Sequence, residues 1–211
     1  MQDPELPFIP ALCCFFLPPG KVWRGSARDL KDFYYQLAVP QARFADQQLG
    51  PRVPRSWFQD IAVEQLDCGV PFERLAWRDV HASPGQPVEQ VADSFTQPAL
   101  KAVMMGDING VTMAQAAHVG GLQARGLLPA ALRLHRDGVR WGRSDMADVY
   151  LDDFAVLAAV DAKERCDPGW DSSLIAAVDN FYEEEGVQQS HAKSVNSERC
   201  AFKLWGAVVD G

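Results

Sequence analysis

ADVYLDDFAVLAAV, residues 147–160, sets two adjacent aspartates, Asp152 and Asp153, inside an apolar run that otherwise has the composition of a β-strand. Strands are depleted in Asp, and a charge is seldom left inside an apolar segment without a partner. Two readings account for the pair. As the tip of a hairpin between MADVYL and FAVLAAV, both carboxylates point at water, because Asp is a favoured turn residue. As a ligand set, two carboxylates at a hairpin tip suit Mg²⁺, a hard cation that takes oxygen ligands. Both readings make 145–161 a hairpin.

The flanking sequence places this hairpin in a sheet. Downstream, DSSLIAAVDNFYEEEG (171–186) is an amphipathic helix: Ser172 or Ser173 can cap it, Leu174, Ile175, Val178, Phe181 and Tyr182 share a face, and Gly186 can stop it. Upstream, GVTMAQAAHVGGLQARGLL (110–128) is Ala-rich and reads as a second helix despite Gly120 and Gly121. KVWRGSARDLKDFYYQLAVP (21–40) gives a strand from Val22 to Leu30, then an aromatic turn or short helix closed by Pro40. RCAFKLWGAVVDG at the end returns to strand character, and FQDIAVEQLDCG (58–69) is a possible helix. Strand, helix, hairpin, helix, strand is the order of an α+β fold in which helices cover one face of a largely antiparallel sheet. Residues 1–20, rich in proline, read as an extended lead-in, and 21–211 as the folded domain.

The 211-residue chain, 47% hydrophobic, is long enough to bury a core. Its net charge of −8 argues against nucleic-acid binding through bulk positive potential. Positive charge is clustered locally in RLHRDGVRWGR (133–143), where four arginines and His135 form either a phosphate-binding patch or a solvated loop. The five cysteines show no Cys-x-x-Cys spacing, which points to a reducing compartment and no structural zinc. The apolar run ALCCFFL (11–17) is too short to span a bilayer and follows acidic residues, so neither a signal peptide nor a membrane helix is expected. An intracellular protein, cytoplasmic or nuclear, is the expectation.

Asp29 and Asp32 in ARDLKDFYYQL form a second acidic strand end far upstream of the hairpin. In a sheet of this topology the first strand commonly lies beside the central hairpin, which brings Asp29 within reach of Asp152. Carboxylates meeting at one strand edge raise each other's proton affinity unless a cation sits between them, and such clusters are the usual ligands of two-metal phosphoryl transfer.

These stretches, in this order, resemble the motifs of reverse transcriptases. DLKDFYYQLAVP (29–40) is similar to motif A, and YLDD (150–153) to the Tyr-x-Asp-Asp box of motif C. MGDINGVTMAQAAH (105–118) stands at the place of motif B, with Gly106 early and Gln115 at its far end; the family has Gln-Gly where this chain has Met105-Gly106. NSERCAFKLWGAVVDG (196–211) resembles joined motifs D and E. The resemblance implies the palm of an RNA-directed DNA polymerase of retroelement type, with a ferredoxin-like core, incomplete fingers and no thumb. It implies Asp29, Asp152 and Asp153 as catalytic carboxylates holding Mg²⁺ or Mn²⁺. Tyr34 takes the steric-gate position, Tyr150 lies near the primer end, Arg199 near the triphosphate, and Trp205 with Gly206 form the primer-grip turn. Gly106 and Gln115 complete the substrate-binding set. The implied partners are primer-template nucleic acid, a dNTP and the remaining parts of a longer polymerase polyprotein, with no membrane. The competing expectation is a catalytically silent retroelement-derived remnant or interaction module; a nuclease or an RNA-templated RNA polymerase palm is a further alternative.

Overall fold

The computed structural model describes residues 6–39, 43, 48, 53–54, 75–79, 95–100, 102–107, 109–134, 142–164, 167–198 and 202–209. The chain divides into two compact units, one formed by Met1–Phe33 with Val111–Gly211 and the other by Tyr34–Gly110. The possible helix at 58–69 lies outside the described residues.

The larger unit is an α+β fold built on strands β1 (Lys21–Asp29), β5 (Met146–Tyr150), β6 (Asp153–Asp161) and β7 (Val195–Glu198), in the order β5-β6-β1-β7 with every neighbour antiparallel. The apolar run quoted above thus forms the expected hairpin, β5 and β6. β6 is central and buried on both faces from Phe154 to Ala158, which is why its sequence is a continuous apolar run rather than an alternating one. One face, carrying Ala155 and Leu157, packs with Ala11, Leu134, Met146, Phe202 and Leu204. Phe202 and Leu204 belong to a terminal hairpin of β8 (Phe202–Leu204) and β9 (Ala207–Val209). Gly25 of β1 lies under this hairpin, where any Cβ would run into the Phe202 ring. Ala11 belongs to a 3-10 helix, Ile9–Cys14, so part of the proline-rich lead-in folds onto the core: the Phe8 N–H donates to the Leu134 carbonyl at 2.9 Å.

The opposite face of the sheet is covered by helix α3 (Trp170–Glu184), and the fastening there is ionic. Arg24, 2% exposed, donates from Nε to Asp171 at 2.7 Å and from a terminal nitrogen to the Asp167 carbonyl at 2.7 Å. Asp171 sits in the first helical turn, where the helix dipole also favours a carboxylate. About two helical turns on, Asp179 accepts two hydrogen bonds of 2.6 and 2.8 Å from Arg28. The Arg24–Asp171 pair explains the helix start. Its N-cap is Gly169 rather than Ser172 or Ser173, and a Cβ at Gly169 would meet the Arg24 guanidinium and the Asp171 carboxylate. Ile175, Val178 and Tyr182 are buried as the apolar face requires, and Gly186 at φ +67° ends the helix as expected. Helix α2 (Gly110–Ala124) approaches α3 at Gly121, which has the Phe181 ring 2.9 Å from where a Cβ would stand.

The unit Tyr34–Gly110 contains a three-stranded antiparallel sheet of β2 (Val53–Pro54), β4 (Phe95–Leu100) and β3 (Leu75–Asp79), in that order. The short helix α1 (Phe33–Gln36) leads into it. Arg43 pairs with Asp107 at 2.7 Å, and Asp107 also accepts the Asn109 N–H at 2.8 Å.

Removing Asp171 strands a guanidinium in the core. Asp171→Ala is expected to lower unfolding free energy by about 3–5 kcal/mol in urea titrations, whereas the double change Arg24→Met with Asp171→Leu, which buries no lone charge, recovers most of that loss.

Candidate functional site

The β1–β6 ladder runs in unbroken register from Lys21 opposite Asp161 to Asp29 opposite Asp153. Across the hairpin, Asp153 also faces Tyr150. Asp29, Asp153 and Tyr150 therefore form one row over three strands, with Asp152 in the two-residue turn beside them, and the Leu30 N–H donates to the Asp152 carbonyl at 2.9 Å. Like charges directly opposed across a ladder are unfavourable. Burial pushes the Asp153 carboxyl up to about 6, and the charges of Asp152 and Asp29 push the same way. Asp152 is also raised, by burial first and by Asp29 next, against its own backbone hydrogen bond and Lys193.

Lys193 is the residue the sequence did not single out. It closes a 3-10 helix, His191–Lys193, just after α3, and its Nζ lies 2.7 Å from Asp29 Oδ1 while donating to Oδ2 at 3.1 Å. Backbone bonds hold this segment alongside β1: Ser190 N–H donates to the Asp29 carbonyl at 2.8 Å and Lys31 N–H to the Gln188 carbonyl at 3.0 Å. The hydrogen bond to Asp29 holds the Lys193 ammonium above its ordinary range, with Asp152 and Asp153 adding to the effect. Arg199, the basic residue expected near the triphosphate, lies outside the described residues.

The turn itself is strained. Leu151 stands at φ +56°, a region that costs a non-glycine residue about 1–3 kcal/mol. Gln115 of α2 grips it: its Nε2 donates to the Val149 carbonyl at 2.8 Å and its Oε1 accepts the Leu151 N–H at 2.7 Å. His118, one helical turn on, bonds the Leu151 carbonyl through Nδ1 at 2.7 Å and the Tyr182 hydroxyl through Nε2 at 2.6 Å. Gln115, expected at a substrate, is thus engaged with the hairpin backbone.

Two further expected residues meet on the site's face. Tyr150 packs against Trp205, ring centroids 6.4 Å apart, and Trp205 with Gly206 makes the tight turn between β8 and β9 at φ +47° and +81°. Tyr34 and Gly106 belong to the other unit: the Tyr34 ring reaches 3.3 Å from a Cβ built at Gly110, and Gly106 takes φ +94° in an exposed turn. In the basic segment 133–143, Arg133 is buried against Asp148 at 3.1 Å, and Arg143 donates to the carbonyls of Asp145 and Arg133 at 2.9 and 2.8 Å; 135–141 lie outside the described residues. Both described arginines of that cluster therefore serve the fold. No helix among the described residues is long and apolar enough to cross a membrane.

The acidic row fits a hard divalent cation in the chemistry of its donors, which are carboxylate oxygens. As the side chains lie, no group of three or more His, Cys, Asp or Glu among the described residues is arranged to hold a metal, and the positive charge facing Asp29 is the Lys193 ammonium.

A carboxyl whose folded pKa exceeds its unfolded one favours folding at low pH and loses that contribution as pH rises through the folded value. Asp153→Asn is therefore expected to stabilise the protein above pH 6, by about 1 kcal/mol after allowing for solvent screening, with the gain vanishing near pH 4. Thermal unfolding from pH 4 to pH 8 checks this; a gain independent of pH contradicts it.

No family model matches the sequence, and no curated protein matches it. Among solved structures the chain is similar to telomerase from Candida albicans, determined in complex with a TWJ fragment of telomeric RNA, at TM-score 0.42 and 11% identity. The match covers 90% of this chain and 29% of the telomerase chain.

Proposed function

We propose that the chain is a polymerase palm of reverse-transcriptase type, acting in nucleotidyl transfer to a primer 3′-hydroxyl. One observation carries the reading: the ladder sets Asp29 opposite Asp153 with Asp152 in the adjoining turn, so three carboxylates from distant parts of the sequence share one strand end. In this reading Asp29, Asp152 and Asp153 hold Mg²⁺ or Mn²⁺, which supplies charge neutralisation at the reacting phosphate and activation of the attacking hydroxyl. The chain's own residues provide position. Tyr150 and Trp205 offer an aromatic pair beside the acidic row for the primer terminus. Primer-template nucleic acid is the partner, together with the remaining parts of a longer polymerase polyprotein.

A second reading, a catalytically silent remnant or interaction module, draws on the Lys193 ion pair. A tethered ammonium on Asp29 relieves the carboxylates without a metal.

Primer extension on poly-rA with oligo-dT and Mg²⁺ separates the two. The palm reading expects extension by the wild type and its loss in Asp152→Asn/Asp153→Asn. No extension by either protein, both folded by circular dichroism, contradicts an active palm and favours the silent one.

A further inference from the structure

We infer that Gln115, His118 and Tyr182 are positioning residues: a buried clamp from α2 and α3 that holds the Leu151–Asp152 turn in its left-handed conformation and so presents Asp152 and Asp153 beside Asp29. The inference deepens the palm reading and rests on it for the purpose of the clamp, though not for its existence.

Leu151 is the first central residue of the two-residue loop between Tyr150 and Asp153, and it alone of the two takes positive φ. In hairpins that position is glycine's, because a side chain there is crowded against the backbone. A leucine keeps such a conformation only where the surroundings over-determine it. Here both polar groups of its backbone are captured from one helix, the N–H by Gln115 Oε1 and the carbonyl by His118 Nδ1. A hairpin tip facing water needs neither.

The chemistry of the chain of bonds is fixed by elimination. The Leu151 carbonyl can only accept, so His118 Nδ1 carries a proton. Burial pushes the ring down to about 4, so it is neutral near pH 7 and its Nε2 is left as an acceptor. Tyr182 therefore donates its hydroxyl to Nε2. His118 is 4% exposed and Tyr182 1%, and the Phe33 ring stands 5.2 Å from the imidazole, so the ring is wedged as well as bonded. Gln115 closes the other side by also donating to the Val149 carbonyl, which ties the strand before the turn to the same helix. Gln115 and His118 bond the turn directly and Tyr182 bonds His118, so the clamp converges on the strained residue adjoining the acidic pair.

Two readouts test this on the full chain. The first is the three-bond HN–Hα coupling and Cα shift of Leu151 by NMR without metal; the second is Mn²⁺ affinity by electron paramagnetic resonance. His118→Ala is expected to move Leu151 out of the left-handed region and to weaken Mn²⁺ binding about tenfold, as loss of a group that orients a ligand does. Tyr182→Phe, which removes one hydroxyl and keeps the packing, is expected to act in the same direction more weakly, and serves if His118→Ala does not fold. The distinguishing variant is Leu151→Gly. Glycine takes positive φ without strain, so His118→Ala/Leu151→Gly should recover most of the lost affinity, whereas damage to the helix packing alone would not be rescued. Unchanged Leu151 coupling in folded His118→Ala or Tyr182→Phe overturns the clamp, and so does failure of the glycine rescue. A wild type that binds no Mn²⁺ overturns the metal reading instead, and the Leu151 coupling still decides whether the clamp exists.

Discussion

The structure turns on the register of one ladder. Nine paired positions of β1 and β6 carry Asp29 to the point directly across from Asp153, and a slip of one residue would move Asp29 to the other face of the sheet. The register is held on both faces at once. Gly25 admits the Phe202 ring on one side, while Arg24 and Arg28 reach Asp171 and Asp179 of α3 on the other. Neither fastening tolerates a shift, because a slip would aim the arginines at the β8–β9 hairpin and Gly25 at the helix. Two charges opposed at the ladder's end are the consequence of a register fixed elsewhere.

What surrounds the acidic row compensates for that opposition in two ways. Lys193 places a cation on Asp29, and burial together with the mutual repulsion raises the proton affinity of Asp152 and Asp153. A strand end that opposes like charges, is strained at Leu151 and is gripped by buried side chains differs from a solvated turn, which needs none of these.

Much of this was legible in the chain. Residue-type punctuation exposed the hairpin at 145–161, the helix ended by Gly186 and the strand from Val22, and the α+β order followed from them. The Asp29 approach was readable because both acidic stretches sit at strand ends. Interactions between residues far apart in sequence left no local signal. Arg24 meets Asp171 across 147 positions, and only that pair explains why Gly169, not a serine, caps α3. Gln115 was expected at a substrate only through the resemblance of 105–118 to motif B, yet it is 2% exposed and bound to backbone. Lys193 is an ordinary surface lysine by every local criterion, and its position next to Asp29 comes from the path of the chain after α3.

Asp29, Asp152 and Asp153 act as one electrostatic unit. Carboxyl ¹³C titration of Asp153 in the wild type and in Asp29→Asn tests it directly. The expected wild-type midpoint is near 6, and it falls when the Asp29 charge is removed and Lys193 is released toward its neighbours. An ordinary midpoint in the wild type, or one that Asp29→Asn leaves unmoved, would contradict it.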